Sequence, residues 1–207
     1  MRPRGKLIVF EGPDGVGKTT LSERLAQRWQ KQGLPALYYA FPGKQAGTLG
    51  HLVYRLHHEP QETGVEIVSP VSLQIMHIAA HTDAIERVLR PALLSGTHVV
   101  LDRFWWSTWV YGRDAGVDED VLGAMIAVEK ACWGELAPDA AFLLTRGEPL
   151  RIETSGERWQ NLTHLYEAIA VRESVCHEVI MLQNDGAPDE ALERVIAKTS
   201  KVADGAW

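Results

Sequence analysis

The sequence predicts an α/β fold: a five-stranded parallel sheet with helices on both faces. Three observations predict it. Five short apolar runs alternate with helical patterns along the 207 residues. The first run leads into Gly12-Pro-Asp-Gly-Val-Gly-Lys-Thr-Thr20, which fills every required position of the phosphate-binding pattern G-x-x-x-x-G-K-[ST]. The least expected residues, among them Asp102 and Arg103, fall just beyond apolar runs, where parallel sheets bind ligands.

The elements follow in order. Residues 6–10 (Lys-Leu-Ile-Val-Phe) read as a buried strand, and residues 19–32 as a helix with Leu21, Leu25 and Trp29 spaced i, i+4, i+8. Gly33 and Pro35 mark a turn; residues 36–40 form a second strand, ended by Phe41-Pro42-Gly43. A helix over about 49–57 is followed by a loop at 58–70. The longest helical pattern covers 71–94, with Pro91 as a kink or break. Residues 98–101 are a short β-rich strand. A helix begins over Ser107–Tyr111, and another spans 118–133. A strand at 140–144, a charged loop at 145–158, a helix at 159–178, a strand at 178–182 and a helix at 188–202 complete a single expected domain, 1–207. No repeat or linker interrupts it.

The phosphate loop has a physical reading at each position. Glycines at 12, 15 and 17 let backbone N–H groups close around phosphates, with Pro13, Asp14, Val16 and Thr20 completing the loop. The following helix N-terminus adds partial positive charge. Lys18 reaches the β- and γ-phosphates, and the Thr19 hydroxyl sits on Mg²⁺. Asp102 ends an apolar strand, as a second Mg²⁺ ligand beside Thr19 requires, and Arg103 can bridge donor and acceptor phosphates.

Composition narrows the classes. An apolar fraction of 45% and a charged fraction of 23% are those of an ordinary globular protein. No apolar run reaches membrane-span length, and the apolar stretch at the N-terminus is too short for a signal peptide, so the expectation is cytoplasmic. The formal charge of −6, with no basic run, argues against a nucleic-acid polymer as substrate. Cys132 and Cys176 lie in apolar-periodic segments and are expected as buried free thiols.

With these motifs in place, the chain resembles the thymidylate kinases, P-loop nucleoside monophosphate kinases. The resemblance rests on Asp14 within the phosphate loop, Phe41-Pro42 after the second strand, Pro91-Ala-Leu followed by Asp102-Arg103, Ser107 and Tyr111, Pro138-Asp139, and Gly156-Glu-Arg-Trp-Gln160. It implies ATP-dependent phosphoryl transfer to a deoxynucleoside monophosphate, thymidylate first, with Mg²⁺, in a homodimer. The resemblance gives Asp14 the acceptor sugar, sets Phe41 and Pro42 beside the acceptor and Lys44 near its phosphate, and assigns Arg103 the phosphates in flight. Tyr111 would exclude a 2′-hydroxyl, with Ser107 and Thr108 in the acceptor site. Arg158, helped by Arg151, would close from a lid at about 145–158.

The expected base pocket departs from that family. His77 and His81 stand where an aromatic residue and an arginine belong, and i, i+4 spacing keeps them on one helical face. By the resemblance Trp109 would face the acceptor, while Trp105 and Trp106 read either as core or as pocket. A zinc pair at His77 and His81 lacks a third ligand in the sequence, and His57-His58 reads as surface or pocket lining. Two alternatives remain open: a kinase of a modified nucleotide or other small phosphorylated acceptor, and an ATP-binding regulatory module with little turnover.

Overall fold

Every strand is short, apolar and parallel to its neighbours, and alternate side chains feed two separate cores. The computed structural model describes residues 3–150 and 156–203. Strands β1 (Leu7–Glu11), β2 (Ala36–Ala40), β3 (His98–Asp102), β4 (Ala140–Thr145) and β5 (Val179–Gln183) lie in the order β2-β3-β1-β4-β5. The five-stranded parallel sheet read from the sequence is the sheet observed.

Helices α1 (Lys18–Lys31) and α9 (Pro188–Ala203) cover one face, where Ile8, Phe10, Val100, Phe142 and Leu144 meet Leu21, Leu25, Trp29 and Val195. The other face carries α4 (Pro70–Ala84), α5 (Arg90–Leu94), α6 (Trp105–Asp114), α7 (Glu119–Trp133) and α8 (Gly156–Glu173). There Leu7, Val9, Leu101 and Leu143 pack on Ile78, Leu93, Trp105, Trp106 and Leu122. Each such buried aliphatic side chain contributes about 1.5–3 kcal/mol. Helix α2 (Leu49–His58) and the short α3 (Pro60–Thr63) follow β2.

Register levels the strand ends into one rim. Asp102 lies opposite both Phe10 and Ala40, and Glu11 lies opposite Leu143. The C-terminal ends of β1, β2, β3 and β4 therefore deliver the phosphate loop, Phe41, Asp102 and Thr145 to the same edge. Backbone bonds extend this order beyond the strands: Phe41 N donates to Asp102 O at 2.9 Å, and Arg103 N to Phe10 O at 2.9 Å.

Several boundaries differ from the sequence reading. The 71–94 helix contains a π turn over Ile85–Leu89, and Arg90 N donates to Ile85 O. The break thus comes before Pro91, whose missing N–H and bulky ring the widened turn accommodates. Pro60–Thr63 forms one helical turn inside the expected loop. Helix α6 starts at Trp105 rather than Ser107, and α8 spans Gly156–Glu173 rather than 159–178. The expected lid at 145–158 therefore overlaps the first turn of α8, and its residues 151–155 lie outside the described residues. The cysteines are free but not buried: Cys132 is half-buried and Cys176 exposed, each near the end of its helix or beyond it. Among the described residues no helix is long and apolar enough to cross a membrane.

Gly50 marks where α2 touches the turn after β2. A Cβ there would lie 1.9 Å from Pro42 O and 2.7 Å from its carbonyl carbon, both backbone atoms that cannot swing aside. G50A is expected to lower stability by about 1–3 kcal/mol in urea denaturation, because Phe41-Pro42 must shift. Unchanged stability would mean that this contact gives way freely.

Candidate active site

The phosphate loop joins β1 to α1 through three glycines at positive φ, 137° at Gly12, 83° at Gly15 and 94° at Gly17. At two of them space is lacking as well. A Cβ on Gly12 would sit 2.4 Å from Leu144 O, and one on Gly17 would sit 2.6 Å from Asn184 Nδ2. The loop bends back on itself, and Lys18 Nζ donates to Gly12 O and Pro13 O, both at 2.8 Å. Burial, followed by the nearby Arg103 charge, pulls the Lys18 ammonium down to about 8. Phosphate oxygens are the stronger acceptors for a cation held this way.

Thr19 and Thr20 open α1 with exposed side chains, and Val16 is buried beneath the loop. The Thr19 hydroxyl donates to Asp102 Oδ2 at 2.5 Å. Asp102 is buried, and its Oδ1 has no hydrogen-bond partner among the described residues. A hydroxyl and a carboxylate with an oxygen to spare are the hard oxygen donors that Mg²⁺ takes. These residues fit the ion.

Asp14 gathers the groups on the other side of the loop. Arg103 Nη2 pairs with Asp14 Oδ1, and the Tyr111 hydroxyl donates to Asp14 Oδ2 at 2.7 Å. Burial raises the Asp14 pKa, but the charges of Arg103 and Lys18 and the Tyr111 hydrogen bond outweigh it and hold the carboxyl well below its usual range. Arg103 has φ 71°, the one positive value outside glycine among the described residues. It is fixed by Asp14, by Nη1 donating to Ser107 Oγ at 3.1 Å, and by the Tyr111 ring 5.4 Å from its guanidinium.

A row of rings stands beside this cluster. Phe41, joined to Pro42 by a cis bond, stacks on His81 with centroids 4.0 Å apart. His81 meets His77 edge-on at 6.1 Å, and His77 meets His57 at 5.5 Å. His57 stacks on His58. Burial, then the neighbouring His81, pushes the His77 pKa well below its ordinary value, so a neutral imidazole faces any ligand there. His81 Nδ1 lies 2.8 Å from Glu129 Oε2 on α7, and both side chains are buried. Among the described residues no group of three or more His, Cys, Asp or Glu side chains is placed to hold a metal ion.

The structure brings Asp14, Lys18, Thr19, Asp102, Arg103, Ser107 and Tyr111 together, and it separates others. Trp109 is the clearest correction: it shares the Trp105 side of α6, half a turn from Ser107 and Tyr111, and packs under Arg172 at 5.2 Å. Trp105 and Trp106 are core. Thr108 is buried beside them in α6. Lys44 is exposed and rests on the Tyr54 ring at 4.7 Å. Arg158 Nε donates to Asp114 Oδ2 at 2.7 Å, holding it at the end of α6. Arg151 lies outside the described residues.

Four participants escaped the sequence reading. Glu11 is fully buried behind the phosphate loop and holds Ser107. Trp159 Nε1 donates to Asp14 O at 3.1 Å. Asn184 Nδ2 donates to Val16 O at 2.7 Å. Glu129 anchors His81. Two carried a signal: Glu11 ends an apolar strand as Asp102 does, and Glu129 falls in the α7 stripe otherwise made of Leu122, Met125, Ile126 and Trp133.

A parallel sheet ordered 2-3-1-4-5, with a phosphate loop after its central strand and a Thr–Asp pair beside it, defines a P-loop nucleoside triphosphatase fold. The thymidylate kinase family model matches residues 10–198. The chain belongs to the thymidylate kinase family. It is 34% identical over 141 residues to a thymidylate kinase of Chlorobium luteolum, covering 67% of this chain and 61% of that one. It is 35% identical over 144 residues to a thymidylate kinase of Bradyrhizobium sp. (strain ORS 278), covering 68% and 59%. The match thus spans about 60% of the length of such relatives. A crystal structure of thymidylate kinase from Ehrlichia chaffeensis superposes with TM-score 0.76 over 95% of this chain and 99% of that one, at 21% identity.

Removing the His81 ring leaves the Glu129 carboxylate buried without a partner. H81A is expected to destabilise the fold by about 3–5 kcal/mol, and H81A/E129L to recover most of that loss in urea denaturation. A double variant no more stable than H81A would show that packing around the ring, not the buried charge, sets the penalty.

Proposed function

We propose that this protein transfers the γ-phosphoryl group of ATP to a deoxynucleoside monophosphate, thymidylate being the first candidate. The observation that carries the reading is the Lys18–Asp14–Arg103–Tyr111 cluster, which joins a phosphate loop to a polar acceptor cleft. Family membership supports the same reaction. A pure nucleotide switch has no use for a second cation aimed at the acceptor side.

The steps follow from charge. Backbone N–H groups of the loop and Lys18 bind the donor phosphates, and Lys18 exchanges its carbonyl partners for phosphate oxygens. Asp14, ionised at any physiological pH, orients Arg103 and Tyr111 and is itself placed to accept from a sugar hydroxyl. Arg103 spans the two phosphate groups, and the acceptor phosphate oxygen needs no strong base to attack. Thr19 and Asp102 would hold Mg²⁺, which neutralises charge on the transferring phosphates when bound. Arg158, released from Asp114, closes on the donor from α8, and the resemblance gives Arg151 a helping role.

His77 lies alongside the acceptor base in this reading, with Phe41 and His81 as the wall behind it and Pro42 at the margin. A homodimer working in the cytoplasm belongs to the same reading. Its support is the exposed apolar surface of α4 and α7, Val71, Ile75, Val121 and Val128.

ADP release measured with Mg-ATP and a panel of deoxy- and ribonucleoside monophosphates tests the proposal. Thymidylate is expected to stimulate turnover, with K18A lowering it by about 100-fold or more. R158A should lower kcat while leaving the acceptor KM near wild type. Turnover with a different nucleotide alone would reassign the acceptor, and ATP binding without any acceptor-dependent ADP would overturn phosphoryl transfer.

A further inference from the structure

Glu11 occupies a position that backbone geometry alone does not require. It is the last residue of β1, fully buried, and it reaches across to the start of α6. Its Oε1 accepts from Phe104 N at 2.7 Å and Ser107 N at 3.0 Å. Helix α6 has no capping side chain of its own, so Glu11 caps it from another strand. A carboxylate at that end also meets the positive end of the helix dipole.

The second oxygen does more than cap. Glu11 Oε2 accepts from Ser107 Oγ at 2.7 Å. With its proton committed there, Ser107 Oγ is left with lone pairs only. One faces Arg103 Nη1 at 3.1 Å and the other the Tyr166 hydroxyl at 2.8 Å. The chain of donors is therefore directional: Arg103 to Ser107, Ser107 to Glu11, with Arg103 also paired to Asp14. We propose that Glu11 is a positioning residue for phosphoryl transfer, orienting the Arg103 guanidinium through the Ser107 hydroxyl. This rests on the reading of Arg103 as the residue that spans both phosphates.

Two features explain why Arg103 needs such support. Its positive φ is costly for a side chain with a Cβ, so the surrounding contacts must hold it. And its position, rather than any proton transfer, is what it contributes. The charged and titratable groups around Glu11 are Arg103 after β3, Lys18 on α1 and, beyond Ser107, Tyr166 on α8. Burial raises the Glu11 carboxyl to about 7 against the opposing pull of Ser107 and Arg103. Protonation puts a hydrogen on an oxygen that now accepts, so the donor chain reverses or breaks as pH falls through that value. The sign for stability is the opposite. A carboxyl raised on folding binds its proton more tightly in the native state. Its stabilising contribution is therefore full below about 4.5 and lost as pH rises through about 7.

The test compares wild type, E11Q and S107A in the full chain. The amide oxygen of E11Q can still accept from the two backbone N–H groups, but its NH₂ cannot accept the Ser107 proton. S107A leaves both capping bonds untouched, so it remains informative if E11Q fails to fold. Expected are a kcat lower by about 10- to 100-fold in each, with the KM for ATP within about twofold, and a double variant no worse than the singles. The wild-type kcat should fall as pH drops through about 7, and E11Q should lack that limb. In ¹⁵N-arginine-labelled protein the Arg103 Nε resonance should broaden or shift in both variants. Wild-type kcat with an intact acid limb in either folded variant overturns the proposal, as does lost stability with an unmoved Arg103 resonance. If wild type phosphorylates no nucleoside monophosphate, the transfer reading falls, and the Arg103 resonance alone decides whether Glu11 positions it.

Discussion

The Arg103 guanidinium is the contact on which both halves of the site depend. It leaves the end of β3 at a positive φ, pairs with Asp14 from the phosphate loop and bonds Ser107 from α6. Asp14 in turn stands between Arg103 and Lys18, pairing with both. Without that carboxylate, two cations would repel each other across the cleft. Parallel register makes the meeting possible: it sets Phe10 beside Asp102, so the residues after each strand emerge side by side.

Polar residues at the rim are satisfied mostly by one another. Thr19 spends its proton on Asp102, Tyr111 on Asp14, Ser107 on Glu11. The exceptions are informative: Asp102 Oδ1 and Asn184 Oδ1 are buried without a partner among the described residues, one beside the phosphate loop's threonine and the other beneath its backbone. A buried acceptor left unmatched is unfavourable by about 1–3 kcal/mol.

The five parallel strands, the phosphate loop and the Asp102-Arg103 corner were legible because each is written in consecutive residues: an apolar run, then glycines or charges. Helix ends were less so. The sequence reading starts a helix at Ser107, yet α6 starts at Trp105 and its cap comes from Glu11, 96 positions upstream of Ser107. Pro91 reads as the break, yet the π turn before it absorbs the strain. Trp109 went astray because a ring's neighbours depend on which face of α6 meets α8, and α6 is buried on nearly every side, so periodicity carries no direction. Glu129 was legible only in part: it falls in the apolar stripe of α7, but its residue type argues the other way. A charge in a helix normally marks the wet face, and only the position of His81 makes it an inside residue.

The Trp159 indole sits 6% exposed at the start of α8, with its N–H on the carbonyl of Asp14. Trp29, Trp105, Trp106, Trp109 and Trp133 pack among strands and helices instead. Among the described residues, Trp159 is the indole that shares a hydrogen bond with the phosphate loop. Its excited-state dipole therefore samples the same backbone that gains or loses a polyanion. The fold carries its own optical gauge of loop occupancy, one that needs no attached dye and reads the loop from the buried side.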